Sequence, residues 1–233
     1  MLSFNPAKHA YTNQLTGEDY ISVTTLLSKF KKQFDSHSIS ERIAKRDGGT
    51  PEEIRAKWAQ QNEESKKYGS LIHSIIEKYN KTQTITEGYE SLIEAYKNFG
   101  LIQKTDQILS EEQLYSHTHK LAGTADIIRL EEKGGFSIFD IKTNKRFNFY
   151  SQYNEKLLYP VEHLSACEYT SYSLQLSLYG YMFEGISGRK LNQLGIIYYD
   201  RNVNKFTFYP VIYMKTDILR LLEYYRTLVY AKS

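Results

Sequence analysis

Leu121-Ala-Gly-Thr-Ala-Asp126-Ile-Ile128 and, after a short polar break, Phe136-Ser-Ile-Phe-Asp140-Ile-Lys142 decide how this chain is read. Both runs have the composition of strands, and the second alternates. Asp140 and Lys142 are therefore predicted on one face, with Phe139 and Ile141 on the other. Glu131-Glu-Lys-Gly-Gly135 between them reads as a polar turn, making the pair a β-hairpin. Cross-strand pairing would bring Asp126 beside Asp140. Two carboxylates next to a lysine suit a hard cation beside a group that positions or deprotonates water, which is the equipment of phosphodiester hydrolysis. A surface salt bridge on a two-stranded ribbon is the competing reading. Against it, Asp140 is flanked by Phe139 and Ile141, at the edge of a core where an unpaired charge is costly. Aspartate is also a poor strand former, yet two stand inside strand-like runs.

Upstream, Gly69-Ser-Leu-Ile-His73-Ser-Ile-Ile-Glu77 has helical periodicity. Leu71, Ile72, Ile75, Ile76 and Tyr79 form its apolar stripe, and His73 and Glu77 sit one turn apart beside it. A lone histidine beside such a stripe is more often a partly buried structural residue than a ligand. Downstream, Tyr172-Ser-Leu-Gln175-Leu-Ser-Leu-Tyr179 is a second helix with Leu174, Leu178 and Met182 as its core stripe. A packing helix does not call for a glutamine among those residues. An amide and a phenol one turn apart can orient the lysine or contact a phosphate or base.

Taken together, Gly123-Thr-Ala-Asp126 with Asp140-Ile-Lys142-Thr143 resembles the core motif of the PD-(D/E)XK nuclease superfamily, with Ala125 where many members carry proline. The His73 helix resembles the Gly-x-x-x-His helix of the RecB-like exonuclease branch, and the Gln175–Tyr179 helix its Gln-x-x-x-Tyr helix. These motifs occur in the branch's order over roughly residues 65 to 185. The branch includes small phage exonucleases and the mitochondrial genome-maintenance exonuclease. The resemblance implies an α/β fold with a mixed central sheet flanked by helices and an αβββαβ core. It also implies Mg²⁺ or Mn²⁺ held by His73, Asp126, Asp140 and the backbone carbonyl of Ile141. An acidic residue before the first motif strand often assists in this superfamily, and Glu112 is the expected one. Lys142 would position the attacking water, and Gln175 and Tyr179 would hold the lysine and the strand. The activity implied is a metal-dependent DNA exonuclease, with a structure-specific endonuclease or a non-catalytic nucleic-acid-binding accessory protein as alternatives.

Composition bounds the rest. The chain has 233 residues, enough for one well-packed nuclease domain, with residues 1–64 as an N-terminal hairpin and helical region and 65–233 as the core. Without a long apolar run or a signal-peptide pattern it is expected to be soluble, with no membrane partner. The expected compartment is the cytoplasm of a bacterial or phage-infected cell, with the mitochondrion left open. The one cysteine, Cys167, excludes an internal disulfide and the four-cysteine iron–sulfur cluster of some RecB-like relatives. A net charge of +3 does not by itself announce a nucleic-acid binder. Basic residues do cluster at Lys29, Lys31 and Lys32, at Arg42, Lys45 and Arg46, and at Lys142, Lys145 and Arg146. Lys145 and Arg146 lie where phosphates would arrive, and Tyr172 is a further candidate for contacting DNA. Tyrosine is abundant, at 21 residues, and several fall between Lys142 and the end of the second helix. Tyrosines of this kind pack well, and some can stack on unpaired bases. Single-stranded DNA is therefore the expected substrate, with replication or recombination proteins as expected partners.

Local signals order the remainder. A hairpin spans Phe4 to Val23 around Asn13 to Asp19, and Thr24 caps a helix reaching Phe34. Thr50-Pro-Glu-Glu53 is a capping box opening a helix past Trp58, with a separate helix starting near Gly69. Ser91 to Phe99 is a short helix, and Phe147 to Thr170 a long connection of functional length. Leu194–Tyr199 and Lys205–Tyr213 form a hairpin. A last helix, capped by Thr216, uses Ile218, Leu221, Leu222, Tyr225, Leu228 and Val229. His9, His37, His117, His119 and His163 have no such neighbours, and His117-Thr-His119 has strand-like spacing.

Overall fold

The computed structural model describes residues 2–5, 10–103, 105–132 and 134–230, so His9 and Lys133 lie outside it, as does the Val229 side chain. In chain order the elements are β1 (Leu2–Asn5), β2 (Ala10–Asn13), β3 (Asp19–Ser22), α1 (Val23–Ser28), α2 (Ser36–Asp47), α3 (Pro51–Thr82) and α4 (Glu90–Phe99). There follow β4 (Gln107–Ser116), β5 (Leu121–Leu130), β6 (Gly135–Lys142), α5 (Glu168–Ser187), β7 (Lys190–Asp200), β8 (Lys205–Val211) and α6 (Lys215–Tyr230). The result is a mixed sheet flanked by helices, as the sequence implies. The run from α3 through β4, β5, β6 and α5 to β7 follows the expected αβββαβ order, with α4 added.

The sheet runs β1-β2-β3-β5-β6-β7-β8, and β4 joins it by pairing with β5. The decisive hairpin forms as expected: β5 and β6 are antiparallel, with Ile127 opposite Phe139. β6 is also parallel to β7, which lines up because α5 crosses over between them. Buried between two strands, β6 is inaccessible along Gly135–Ile141, and only Lys142 at its end is partly exposed. Helices α1, α5 and α6 pack on one face around Leu26, Ile128, Leu174, Leu178 and Ile218. On the other face, Ile72, Ile75 and Ile76 of α3 and Ile93 of α4 meet Ile127, Phe139 and Ile141. Each such fully buried side chain contributes about 1.5–3 kcal/mol of transfer free energy.

Several local expectations are corrected. The first helix is capped by Ser22, whose hydroxyl accepts the Thr25 N–H at 3.0 Å, and it ends at Ser28 rather than Phe34. The capping box holds: the Thr50 hydroxyl accepts the Glu53 N–H at 3.2 Å, and the Glu53 carboxylate accepts the Thr50 N–H at 3.0 Å. The helix it opens does not stop, however. α3 runs unbroken to Thr82, because residues 60–67 are polar, mostly good helix formers, and include no proline. The division at residue 64 thus falls inside a helix, and Gly69 marks a close approach, not a start. A Cβ there would lie 3.3 Å from Thr143 Oγ1. Leu71 is exposed and no part of the core. His117 and His119 lie in the β4–β5 turn, not in a strand.

Candidate active site

The topology leaves a gap in the sheet, and the site is built there. β4 pairs along all of β5, so β3 and β6 must share the opposite edge. β3 takes Leu121 and Ala122, and β6 takes Ile127 to Leu130. Among the described residues, none pairs with residues 123–126 on that edge. β6 has diverged from β5 by Ile141, so its N–H is satisfied instead by the Asp126 carboxylate, at 2.7 Å. Asp126 therefore fills the opening, and its strand-breaking tendency suits a place where the ladder stops.

His73 arrives from the buried half of α3. Its Nε2–H donates to the Ile141 carbonyl at 2.9 Å, and its Nδ1 lies 3.4 Å from Asp126 Oδ2. The third member is Glu111, with Oε1 3.7 Å from His73 Nδ1. Ligand atoms of His73, Glu111 and Asp126 all lie within 4.8 Å of one another. Glu112 does not join them. It pairs with Ala125, which places Glu111 across from Asp126, and adjacent strand residues turn to opposite faces. Glu111 also has a left-handed backbone, φ 53°, in mid-strand. Such a conformation costs a non-glycine residue about 1–3 kcal/mol and concentrates at functional positions.

On the other side, α5 supplies the partners of the second carboxylate. Asp140 is buried, with Lys142 Nζ 2.6 Å from its Oδ2 and Gln175 Nε2 donating to its Oδ1 at 3.3 Å. The same amide donates to the Tyr179 hydroxyl at 3.2 Å. Gln175 and Tyr179 therefore hold Asp140 rather than the lysine. The residue against Lys142 is Tyr172, whose ring centre lies 4.6 Å from Nζ. Gly123 makes the close approach of α5 possible, since a Cβ there would sit 2.6 Å from Tyr179 Cε1. Lys145 and Arg146 are exposed in the segment after β6.

Burial and charge act against each other throughout this cluster. Burial disfavours a charged His73, but Asp126 and Glu111 outweigh it and raise the imidazole from 6.5 to about 10. Burial likewise works against an ionised Asp126, yet His73 and Lys142 hold its carboxyl below the usual range. For Asp140 burial wins over Lys142, and the charge of Asp126 adds to it, lifting the carboxyl from 3.8 to about 6. Lys142 is half-buried, and the loss of solvent works against its charge, but Asp140 and Asp126 keep its ammonium protonated. Burial pushes the Tyr179 phenol far up, so it stays neutral.

The donors fit a hard divalent cation. Two carboxylates and one imidazole are donors of the kind that hold a divalent cation, and no thiol stands among them to favour a softer ion. Asp140 Oδ2 is buried and, apart from the Lys142 charge, receives no aligned hydrogen bond. His73, Glu111 and Asp126 form the cluster that could hold a metal ion.

No protein-family model matches the chain, and no curated protein matches it. Among solved structures the chain resembles SSO0001, at 16% identity and a TM-score of 0.40, over 89% of this chain and 75% of that one. It also resembles a "Putative exonuclease" from Eubacterium rectale, at 12% identity and a TM-score of 0.43, over 69% of this chain and 65% of that one. Among the described residues no helix is long and apolar enough to cross a membrane.

Proposed function

We propose that the chain is a Mg²⁺- or Mn²⁺-dependent deoxyribonuclease of the PD-(D/E)XK superfamily, RecB-like branch, acting as an exonuclease on single-stranded DNA. The observation that carries this reading is the convergence of His73, Asp126, the Asp140–Lys142 pair and Gln175 on the gap between β5 and β6. A bound divalent cation would polarise the phosphodiester and acidify a water molecule. Lys142, kept charged by Asp140, acts as donor and counter-charge: it orients the water and stabilises negative charge growing on the phosphate oxygens. It is not the base. Gln175 keeps Asp140 facing the site through its Oδ1, with Tyr179 fixing the amide from the other side. Lys145 and Arg146, exposed in the segment after β6, would meet flanking phosphates. A protein that only binds nucleic acid has no use for the lysine–carboxylate pair.

The test is digestion of end-labelled DNA in Mg²⁺ and in Mn²⁺, comparing linear with circular single strands and blunt with tailed duplexes. Release of nucleotides from linear single strands is expected, lost in Lys142→Ala. Cutting of circular single strands would replace exonuclease with endonuclease. Preference for blunt duplex would overturn the single-strand preference. Failure to cut any DNA with either metal would overturn the reading itself.

A further inference from the structure

The chain holds out two large aromatic rings without packing them. Tyr150 and Tyr153 are 81% and 83% exposed, although the segment carrying them is firmly braced. The Ser165 hydroxyl accepts the Ser151 N–H at 3.1 Å, and the Ser151 hydroxyl accepts the Glu155 N–H at 3.0 Å. The Glu155 carbonyl accepts the Ala166 N–H at 2.9 Å, and the Phe30 carbonyl the Leu158 N–H at 2.8 Å. The last bond ties this connection to the segment after α1, where Lys31 and Lys32 follow Phe30. The fold thus brings together two features that the active site leaves unused: the first lysine cluster and the tyrosine-rich connection.

Between them runs an open groove of about 430 Å³. Lys31, Lys32 and Lys156 line it with Tyr150 and Tyr153, and so does Tyr172, the ring against the Lys142 ammonium. Glu155 and Glu168 line it as well, and Lys31 is half-buried within reach of the Glu168 charge. Lys32 and Lys156 are exposed. Exposed rings and exposed ammonium groups lining one groove open to solvent match what an unpaired strand offers: base faces that stack and phosphates that seek cations. A duplex hides its base faces and gains nothing from the two rings.

We propose that this groove is the track by which a single DNA strand reaches Lys142, with bases stacking on Tyr150 and Tyr153 and phosphates meeting Lys32 and Lys156. The proposal rests on the nuclease reading and adds the path of the substrate.

The experiment measures binding of a fluorescent oligo-dT by anisotropy in EDTA, where no strand is cut, alongside wild-type digestion in Mn²⁺. The double variant Tyr150→Ala/Tyr153→Ala should bind at least ~10-fold more weakly. Tyr150→Phe/Tyr153→Phe should bind like the wild type, because stacking needs the ring and not the hydroxyl. Lys32→Gln/Lys156→Gln should flatten the slope of log affinity against log salt by about 1.4, from about 0.7 per single-strand phosphate contact. Both rings are exposed, so the alanine variant should melt with the phenylalanine variant. If wild type cuts single strands but the alanine variant binds as tightly as wild type, the track is overturned and the nuclease reading stands. If wild type neither binds nor cuts DNA, both fall together.

Discussion

Asp140→Asn should abolish metal-dependent cleavage and, in EDTA at pH 8, make the protein more stable. The stability half of this expectation weighs two opposing effects. Asp140 is one partner of a buried ion pair with Lys142, at 2.6 Å. Truncating one partner of such a pair commonly costs about 3–5 kcal/mol, because the other charge is left unpaired. Yet the carboxyl of Asp140 stands at about 6 against 3.8, with Lys142 already in place. Its ionisation therefore opposes folding even with its partner present. The folded state holds the proton more tightly, so stability falls as pH rises from 3.8 through 6. At about 1.4 kcal/mol per pH unit the ionised group costs about 3 kcal/mol at pH 8, and about half of that at pH 5. Asparagine removes the cost, keeps the shape and leaves Lys142 beside Tyr172. For a chain of this length the gain corresponds to a melting temperature higher by about 6–12 °C. Thermal and urea unfolding in EDTA, at pH 8 and pH 5, read the gain and its decline toward acid. Cleavage assays in Mg²⁺ and Mn²⁺ should show at least a ~100-fold loss. A variant less stable than wild type by about 3 kcal/mol at pH 8 would refute the burial argument and make the ion pair a net stabiliser. Near-wild-type cleavage would place the active site elsewhere.

His73→Ala should raise the Mn²⁺ concentration needed for activity and also lower stability in EDTA at pH 7. Its raised pKa stabilises fully below 6.5, and that contribution is lost as pH rises through about 10. Equal melting temperatures of variant and wild type at pH 7 would refute the carboxylate pairing. Calorimetry in buffers of different ionisation enthalpy should show close to one proton released per Mn²⁺ bound at pH 8, when His73 exchanges its proton for the ion; release of none would remove His73 from the donor set. Glu111→Gln should weaken Mn²⁺ binding, read by the metal-induced shift in melting temperature, whereas Glu112→Gln should leave that shift unchanged. The reverse pattern would restore Glu112. Gly123→Ala should destabilise by about 1–3 kcal/mol and reduce activity, since its Cβ would displace Tyr179 and with it the Gln175 amide on Asp140; a variant as stable and active as wild type would show that α5 can shift without cost.

The central hairpin was legible because its signals are local and agree with one another. Strand alternation placed Asp140 beside Lys142 and away from Phe139 and Ile141, which pack in the opposite core. The capping box at Thr50 and the end of α4 at Phe99 were legible for the same reason. The continuity of α3 was not. Its exposed middle has no apolar period to follow, and Gly69 reads as a boundary when its real task is to let Thr143 approach. Nor did the sequence disclose β1, whose four residues are placed by pairing with β2 and by burial of Leu2 against Tyr11 and Tyr20.

The candidate site divides along the same line. Asp126, Asp140, Lys142 and His73 were found from spacing along single elements, or from a resemblance carried by that spacing. The roles that depend on pairing between elements were not. Two adjacent glutamates have identical local signals, and only the register of β4 against β5 selects Glu111 over Glu112. Helical spacing joined Gln175 to Tyr179 correctly, but which charged group the amide would meet depended on how closely α5 could lie against β5. Gly123 sets that distance, and it brings the amide to Asp140 while leaving Lys142 to Tyr172. The gap at residues 123–126, to which all of these groups converge, is itself a consequence of β3 and β6 sharing one edge of β5. Asp126 sits in a strand against its propensity because on its β6 edge none of the described strands pairs with it, leaving the N–H of Ile141 to satisfy and a cluster of charge to hold.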